Sequence, residues 1–364
     1  MSVHKISSAG RIELASKPLL SYTDGSEYMI AVDGRTLIVQ NPRDNDNSSV
    51  WKISGLPSET TLQWIRGTPS DSVASHVLTA AETVFTLHRT CTEITILGER
   101  TLSDALINAG ISLPLHKNAP RIARDMLWQA PQLWLPSPVS PVPLRYTLSD
   151  GKRHPIRPRK ERGTAYQRFI PWLGKTFSFR AINIDQDLPL IHRWMNEPAV
   201  AKVWQEEGDL EKHRAYLTAI EKDPHMQSLI ACLDDEPFGY FEVYWAKENR
   251  IAPFYDADDF DRGWHVLIGE PSFRGKDFAT AWLTSISHYL FLADPRTRRV
   301  VGEPRADHAQ QLRNLDKSGY AKVKEFDFPH KRAMLVMLLR EHYFGGAYWW
   351  PRSDEAITSI PSQS

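Results

Sequence analysis

The pattern of apolar and polar positions divides the chain into two regular halves. In the first half, two apolar runs within 28–39 are separated by Asp33-Gly34, which is a strong signal for a two-residue β-hairpin. Residues 75–87 have the same β-branched character, and 101–110 has helical spacing that ends at a glycine. This half is therefore expected to be a small mixed α/β domain of unassigned chemistry.

The second half follows a longer order of elements. Alternating residues indicate strands, and apolar residues three and four positions apart indicate helices. The resulting order, β-α-α-β-β-β-α-β-α-β-β, predicts a mixed α/β fold with one central sheet. The predicted elements are strand 177–181, helices 184–196 and 208–222, strands 228–233, 238–245 and 263–269, helix 276–292, strand 299–303, helix 309–317, and a hairpin of 321–326 with 333–339.

Prolines concentrate between the two halves, from Pro131 to Pro158. Proline lacks an N–H group and restricts the residue before it, so this stretch does not suit a helix or a central strand. We interpret 136–165 as an extended linker, and its basic run at 152–162 as either a solvated surface or an anion contact. The predicted domains are 1–135, 166–345 and a C-terminal tail, 346–364.

Composition excludes several functional classes. The 44 Lys and Arg residues balance 44 Asp and Glu residues, whereas proteins that bind nucleic acid usually carry a basic excess. No apolar stretch suits a membrane span or a secretory signal. The two cysteines, Cys91 and Cys232, form neither a disulfide framework nor a metal pattern. We expect a cytoplasmic protein without metal, nucleic-acid or membrane partners, and self-association into a homo-oligomer stays open.

The segment 264–283 carries the clearest chemical signal. A predicted strand leads into a turn containing Arg274-Gly275-Lys276, and a helix follows. Such a junction directs backbone N–H groups and the positive end of the helix dipole towards the loop, which suits a pyrophosphate. Alternatively, Arg274 forms only a surface ion pair with Asp277.

Five further segments have a distinctive mixture of aromatic and polar residues. They are RWMNEP at 193–198, PFGYFEVYW at 237–245, DRGWH at 261–265, GEPR at 302–305 and EFDFPHKR at 325–332. Together they resemble the siderophore-biosynthesis branch of the GNAT acyltransferases. This resemblance implies a GNAT fold for 166–345 and, in some members, a degenerate second copy of that fold at the N-terminus. It also implies acyl transfer from acetyl-CoA or another acyl-CoA to the hydroxylamine nitrogen of an N-hydroxylated lysine, ornithine or putrescine.

The resemblance also implies where the acyl-CoA binds. The family's phosphate loop, Arg/Gln-x-x-Gly-x-Gly/Ala, falls on Arg274, Asp277 and Ala279, so that a carboxylate replaces the first glycine of the pattern. This branch has a relaxed phosphate loop, which accommodates the departure. The expected acyl-CoA contacts are Leu267, Ile268, Arg274, Gly275, Lys276, Asp277, Phe278 and Ala279.

His265 and Asp307 are the candidate catalytic residues. By its apolar neighbours His265 suits a core position, but in the GNAT fold its strand diverges from the next one beside the thioester. There a histidine with its ordinary pKa near ~6.5 suits a general base. Asp307 either orients His265 or binds the hydroxylamine, or it caps the following helix. The tyrosine acid of many GNAT enzymes is replaced by Leu315, five residues before Tyr320.

Aromatic residues around a few polar side chains suggest the acceptor pocket. Tyr and Trp build walls with polar tips, and a carboxylate among them can hold an ammonium or a hydroxylamine. The expected acceptor residues are Trp194, Asn196, Trp204, Glu242, Tyr244 and Trp245. Two alternatives stay open, namely a GNAT enzyme that acts on an ordinary amine and a catalytically silent acyl-CoA-binding scaffold.

Overall fold

A computed structural model describes residues 18–56, 59–67, 73–108, 110–116, 119–138, 140–329 and 331–351. The chain forms two compact units, the first comprising 1–138 with 167–176 and the second comprising 139–166 with 177–364. No helix within the described ranges is long and apolar enough to cross a membrane.

The first sheet contains eight strands in the order β1-β2-β3-β4-β5-β6-β8-β7. The predicted hairpin is confirmed, with its turn one residue later than expected, since Asp33 still pairs with Thr36 and Gly34 and Arg35 connect β2 to β3. Its strands are β1 (Leu19–Ser21), β2 (Tyr28–Asp33), β3 (Thr36–Asn41), β4 (Asp44–Ser54), β5 (Thr61–Gly67), β6 (Glu93–Leu97), β7 (Leu113–His116) and β8 (Ala119–Ala123). The accompanying helices are α1 (Val73–Leu87), α2 (Arg100–Asn108) and α3 (Arg124–Leu127).

Helix α1 corrects the strand-like interpretation of 75–87. Every residue from Ser75 to Thr86 is buried, so no polar stripe reveals a helical period in the sequence. The Thr83 hydroxyl donates to the carbonyl of Thr79, an intrahelical contact that lets a β-branched residue fit. Strands β5 and β6 are parallel, and parallel neighbours need a crossover connection, which α1 supplies.

The second sheet lies C-terminal in sequence and has the order β11-β12-β13-β14-β15-β16-β18-β17. Its strands are β11 (Thr164–Ile170), β12 (Lys175–Ala181), β13 (Met226–Leu233), β14 (Glu236–Trp245), β15 (Arg262–Ile268), β16 (Arg299–Gly302), β17 (Ala321–Phe328) and β18 (Lys331–Leu339). The helices are α4 (Ile184–Met195), α5 (Pro198–Trp204), α6 (Leu210–Lys222), α7 (Lys276–Ala293), α8 (Ala309–Lys317) and α9 (Arg340–Gly345). These elements confirm the predicted α/β order, to which β11, α5 and α9 are additions.

The two sheets have the same topology. In each, the fifth and sixth strands form the parallel pair, and a helix connects them. A second helix precedes the seventh strand, and a short helix follows the eighth. The repeat agrees with the expected second copy of the fold. It differs between the second and third strands, where Gly34 and Arg35 stand in place of α4, α5 and α6.

The stretch expected to be an extended linker contains a separate hairpin of β9 (Tyr146–Ser149) and β10 (Lys152–Pro155). After the hairpin, the buried Arg157 side chain donates to both carboxylate oxygens of Glu248, at 2.6 and 2.7 Å. His154 and His225 lie close enough to Glu248 to form a metal-like cluster. Because the Arg157 cation already occupies both carboxylate oxygens, this cluster suits an ion pair that secures the stretch better than a metal site. The domain boundaries predicted from the sequence stay a prediction.

Candidate active site

A gap opens in the second sheet between β15 and β16. The two strands pair only at Arg262 with Val300 and at Gly263 with Val301. From Trp264 onwards, β15 pairs with β14 alone, so the other edge of the strand faces the gap. His265 is the second residue past the last pair and is 22% exposed, which places an imidazole at the mouth of this opening.

Two buried carboxylates hold the His265 ring. Its Nδ1 lies 3.0 Å from Oε2 of Glu242, the residue directly opposite on β14. Its Nε2 lies 3.2 Å from Oε1 of Glu303, which follows β16. An ionised carboxylate only accepts hydrogen bonds, so both ring nitrogens donate and the ring is an imidazolium. We call Glu242, His265 and Glu303 the Glu-His-Glu group.

The charges of the group change the protonation expected for His265. Burial alone lowers its pKa, but hydrogen bonds and charge from Glu242 and Glu303 outweigh burial and raise the pKa to about 9. Burial also disfavours the charged form of Glu303, and for a carboxyl group this raises the pKa. His265, Lys331 and Arg250 together outweigh burial and bring the pKa of Glu303 well below its usual range. The ordinary pKa near ~6.5 assumed from the sequence is therefore wrong here, since the ring is charged at pH 7.

Tyrosine hydroxyls complete the hydrogen bonding of the two carboxylates. Tyr216 and Tyr240 both donate to Oε1 of Glu242, and Tyr244 donates to Oε2 of Glu303 at 3.0 Å. Burial, followed by the charge of the adjacent glutamate, raises the pKa of each tyrosine. They consequently stay neutral donors. The rings of Trp204 and Tyr244 lie 6.4 and 5.0 Å from that of His265.

Of the predicted acceptor residues, Trp204, Glu242 and Tyr244 meet at His265, whereas three others serve elsewhere. Trp194 is buried in the helix-covered core and donates to Glu270 from its indole nitrogen. The Asn196 side chain connects to the backbone N–H and carbonyl of Gly208. Trp245 follows Tyr244 on β14, so it faces the opposite side of the sheet, under Arg157 and Arg262.

The structure places Asp307 apart from the Glu-His-Glu group. Its side chain is 69% exposed and forms an ion pair with Arg305 at 2.8 Å. That hydrogen bond lowers the pKa of Asp307. The N-cap of α8 is His308, whose ring accepts from the backbone N–H of Gln311. Other residues therefore fill the roles expected of Asp307. Glu242 and Glu303 contact the imidazole, and His308 caps the helix.

The predicted phosphate loop lies beyond the far end of β15. Arg274 donates to the carbonyl of Ile268 at 3.0 Å and to Glu197 at 3.3 Å. Gly275 precedes α7 with φ of 129°, a conformation that favours glycine, and the helix has no side-chain cap. The backbone N–H groups of its first turn and the helix dipole can therefore meet an anion there.

Glu303 belongs to one of the five segments that carry the family resemblance, but the sequence alone assigned it no role in the site. It lies inside the GEPR segment, two residues beyond the strand pair that precedes the gap. A polar residue at the end of a strand beside a candidate histidine was the available signal. No sequence signal indicated Tyr216, because its position on α6 becomes informative only when the helix packs over Glu242.

The first sheet has different residues at the same register positions. Counting from the first parallel pair of each sheet, Thr61–Thr95 and Arg262–Val300, the counterparts of His265, Glu242 and Glu303 are Trp64, Trp51 and Gly98. The first sheet has one further parallel pair, Gln63–Leu97, and from Trp64 onwards β5 pairs with β4 alone. At these register positions the first unit therefore lacks the Glu-His-Glu group of the second.

A large cavity of about 1260 Å³ lies at the N-terminal end of α4, between 159–164 and α6. Ser228 lines it and is opposite Glu242, which in turn is opposite His265. Among the described residues that line the cavity, none belongs to β15, to β16 or to the Glu-His-Glu group.

Comparison with known proteins agrees with this arrangement. Residues 183–328 match the acetyltransferase (GNAT) domain family. The chain is 43% identical over 239 residues to a Schizosaccharomyces pombe protein named as a lysine N-acyltransferase, covering 64% of this chain and 71% of that one. It is 42% identical over 226 residues to the N(6)-hydroxylysine O-acetyltransferase of Escherichia coli, covering 61% and 71%.

A longer relative matches about half of the chain. The N(5)-hydroxyornithine:cis-anhydromevalonyl coenzyme A-N(5)-transacylase SIDF of Beauveria bassiana is 47% identical over 195 residues. The match covers 52% of this chain and 43% of that protein, so this chain spans less than half of its length.

Proposed function

Because this chain belongs to the siderophore-biosynthesis branch of the GNAT acyltransferases, we propose that it acylates the hydroxylamine nitrogen of an N-hydroxylated amine. The chain is an acyltransferase whose co-substrate is an acyl-CoA. The acceptor is N6-hydroxylysine, N5-hydroxyornithine or N-hydroxyputrescine, and the product is a hydroxamate.

The observation that carries the proposal is the Glu-His-Glu group at the mouth of the gap. The acyl-CoA would lie along the open edge of β15, with its pyrophosphate at the N-terminus of α7 and its thioester near His265. Arg274, Gly275 and Lys276 would hold the pyrophosphate. Such positioning of two reactants can supply several kcal/mol towards transfer, and it suits direct attack in a ternary complex.

The proton balance follows from the protonation of the group. Both nitrogens of the His265 ring carry a proton, so the ring can donate a proton but cannot accept a further one. As the neutral nitrogen forms its bond to the carbonyl carbon and the C–S bond breaks, the departing thiolate would take a proton from His265. The proton that the nitrogen releases would return through water to the ring.

The test is an iron-hydroxamate absorbance assay over a matrix of acceptors and acyl-CoA donors. Each N-hydroxylated acceptor is matched with the same amine lacking the hydroxyl group, and free thiol is measured in parallel. We expect colour with at least one N-hydroxylated acceptor, in proportion to thiol release.

Two results would contradict the proposal. Thiol release with plain amines alone would indicate a GNAT enzyme for ordinary amines. Thiol release with an N-hydroxylated acceptor but without iron colour would indicate transfer to oxygen, because only the N-acyl product is a hydroxamate. Binding of acetyl-CoA with no product from any acceptor would favour a silent scaffold.

A further inference from the structure

Two cations lie beside the Glu-His-Glu group and take no part in the proton transfer described above. Arg250 donates from a terminal nitrogen to Oε1 of Glu303 at 3.2 Å, and its side chain is 50% exposed. Lys331 donates from Nζ to the backbone carbonyl of Glu303 at 2.6 Å. Both cations therefore surround the residue that also binds the imidazole.

The rings of Phe254, Phe326 and Phe328 form an aromatic shelf against which these cations lie. The Arg250 guanidinium carbon lies 5.4 Å and the Lys331 Nζ 5.6 Å from the centre of the Phe328 ring, within the range of cation–π attraction. The Phe328 ring in turn packs against those of Phe254 and Phe326, at 4.9 and 5.0 Å. The shelf holds the cations without using their N–H donors.

Most of the Arg250 donors are available to a ligand. Among the described residues Arg250 donates only to Glu303, and half of its side chain is exposed. A guanidinium presents its donors in a planar fork that matches both oxygens of a carboxylate. The free side of Arg250 is thus suited to a carboxylate that arrives from solution.

The local charge favours the same ligand. Glu242 and Glu303 supply two negative charges, while His265, Arg250 and Lys331 supply three positive charges. An acceptor with a carboxylate would neutralise the remaining positive charge. A diamine, whose distal ammonium has no carboxylate beside it, would be repelled.

The spacing fits an amino acid side chain. The Arg250 terminal nitrogen and His265 Nε2 are each 3.2 Å from the same oxygen, so they lie no more than about 6.4 Å apart. In an N-hydroxylysine or N-hydroxyornithine, four or three carbon atoms connect the reacting nitrogen to the α-carbon, a span of comparable length.

Resting on the proposed function, we propose that Arg250, supported by Lys331, binds the α-carboxylate of the acceptor. The substrates of this site are then N-hydroxy amino acids rather than the corresponding N-hydroxydiamines.

The experiment compares acceptors that differ only in the carboxylate. The pairs are N6-hydroxylysine with N-hydroxycadaverine and N5-hydroxyornithine with N-hydroxyputrescine, with acetyl-CoA as donor. For the wild type we expect the carboxylated member of the accepted pair to have at least a ~10-fold higher kcat/KM. Arg250→Gln should raise KM for that member about tenfold or more and leave the diamine within about twofold.

Controls separate this role from support of Glu303. Arg332→Gln removes a neighbouring arginine that pairs instead with the exposed Glu325, and it should preserve the preference. An equal loss of kcat for both members of a pair in Arg250→Gln would overturn the proposal, since it would mean that Arg250 only positions Glu303. So would a wild type without preference.

A binding measurement makes the result independent of turnover. Calorimetry with the full chain and CoA should show tighter binding of the carboxylated acceptor, and Arg250→Gln should abolish the difference. That outcome supports the carboxylate site even if no hydroxamate forms, in which case only the proposed reaction fails. If Arg250→Gln instead selectively weakens succinyl-CoA relative to acetyl-CoA, the carboxylate belongs to the donor and the proposal is wrong.

Discussion

At the residue scale, two glutamates determine what His265 can do. A histidine on an apolar strand is ordinary, but this one meets Glu242 across β14 and Glu303 beyond β16. The sequence indicated His265 and placed Glu242 in the acceptor pocket. It could not indicate their joint charge, because Glu242 and His265 lie on two strands, Glu303 follows a third, and they meet only once the register is set.

We expect His265→Ala to lower kcat by about 100-fold or more and to leave acyl-CoA affinity within a few-fold, as for a positioned proton-transfer group. Steady-state kinetics and calorimetric titration of acyl-CoA measure the two quantities. Gln63→Ala is the control, because Gln63 is an exposed polar residue on the fifth strand of the first sheet, and His265 lies on the fifth strand of the second. Unchanged turnover in folded His265→Ala protein would show that His265 is only a structural residue of the core.

The raised pKa of His265 predicts a pH-dependent stability. Its imidazolium stabilises the folded state fully below the unfolded pKa of about 6.5, and this contribution is lost as pH rises through about 9. Its size is on the order of 3 kcal/mol. Urea unfolding of the wild type, measured from pH 7 to about 9.5, should therefore show a free energy of unfolding that falls across this range. His265→Gln should lack this fall, and an equal fall in both proteins would contradict the assignment.

At the element scale, the start of α7 decides how the donor binds. The strand, turn and helix of 264–283 were predictable, since glycine and the change from strand to helix periodicity are local signals. Local sequence does not give the partner of Arg274, because Glu197 lies on a distant turn before α5. The same limit hid α1, whose uniform burial removed the pattern that identifies a helix.

Arg274→Ala should raise the KM for acyl-CoA about tenfold, or roughly 1.4 kcal/mol, while the acceptor KM barely changes. The reason is that the guanidinium, held by the Ile268 carbonyl, adds a full positive charge to the N-terminus of α7. Asp277→Gly should bind acyl-CoA equally or more tightly, because it removes a carboxylate from the same turn. A donor KM unaffected by Arg274→Ala would place the pyrophosphate elsewhere.

At the scale of the whole molecule, one topology occurs twice, but at the compared register positions only the second copy has the Glu-His-Glu group. The sequence indicated a first α/β domain, and the family resemblance suggested a degenerate copy. The proof of the repeat is the shared strand order and the matching parallel pairs, which no local pattern shows. The difference between the two copies is equally non-local, because it lies in one additional strand pair and three replaced residues.

We therefore expect one acyl-CoA to bind per chain, although the chain contains two sheets of the same topology. In the first sheet Trp64, Trp51 and Gly98 have the register positions of His265, Glu242 and Glu303, so the charged group of the second sheet is replaced by two indole side chains and a glycine. The two-residue turn after β2 also removes the helices that cover the site of the second sheet. Calorimetric titration of the full chain with acetyl-CoA should give a stoichiometry near one, and Arg274→Ala should weaken that single binding event. A second equivalent that persists in Arg274→Ala would show that the first sheet has kept a donor site of its own.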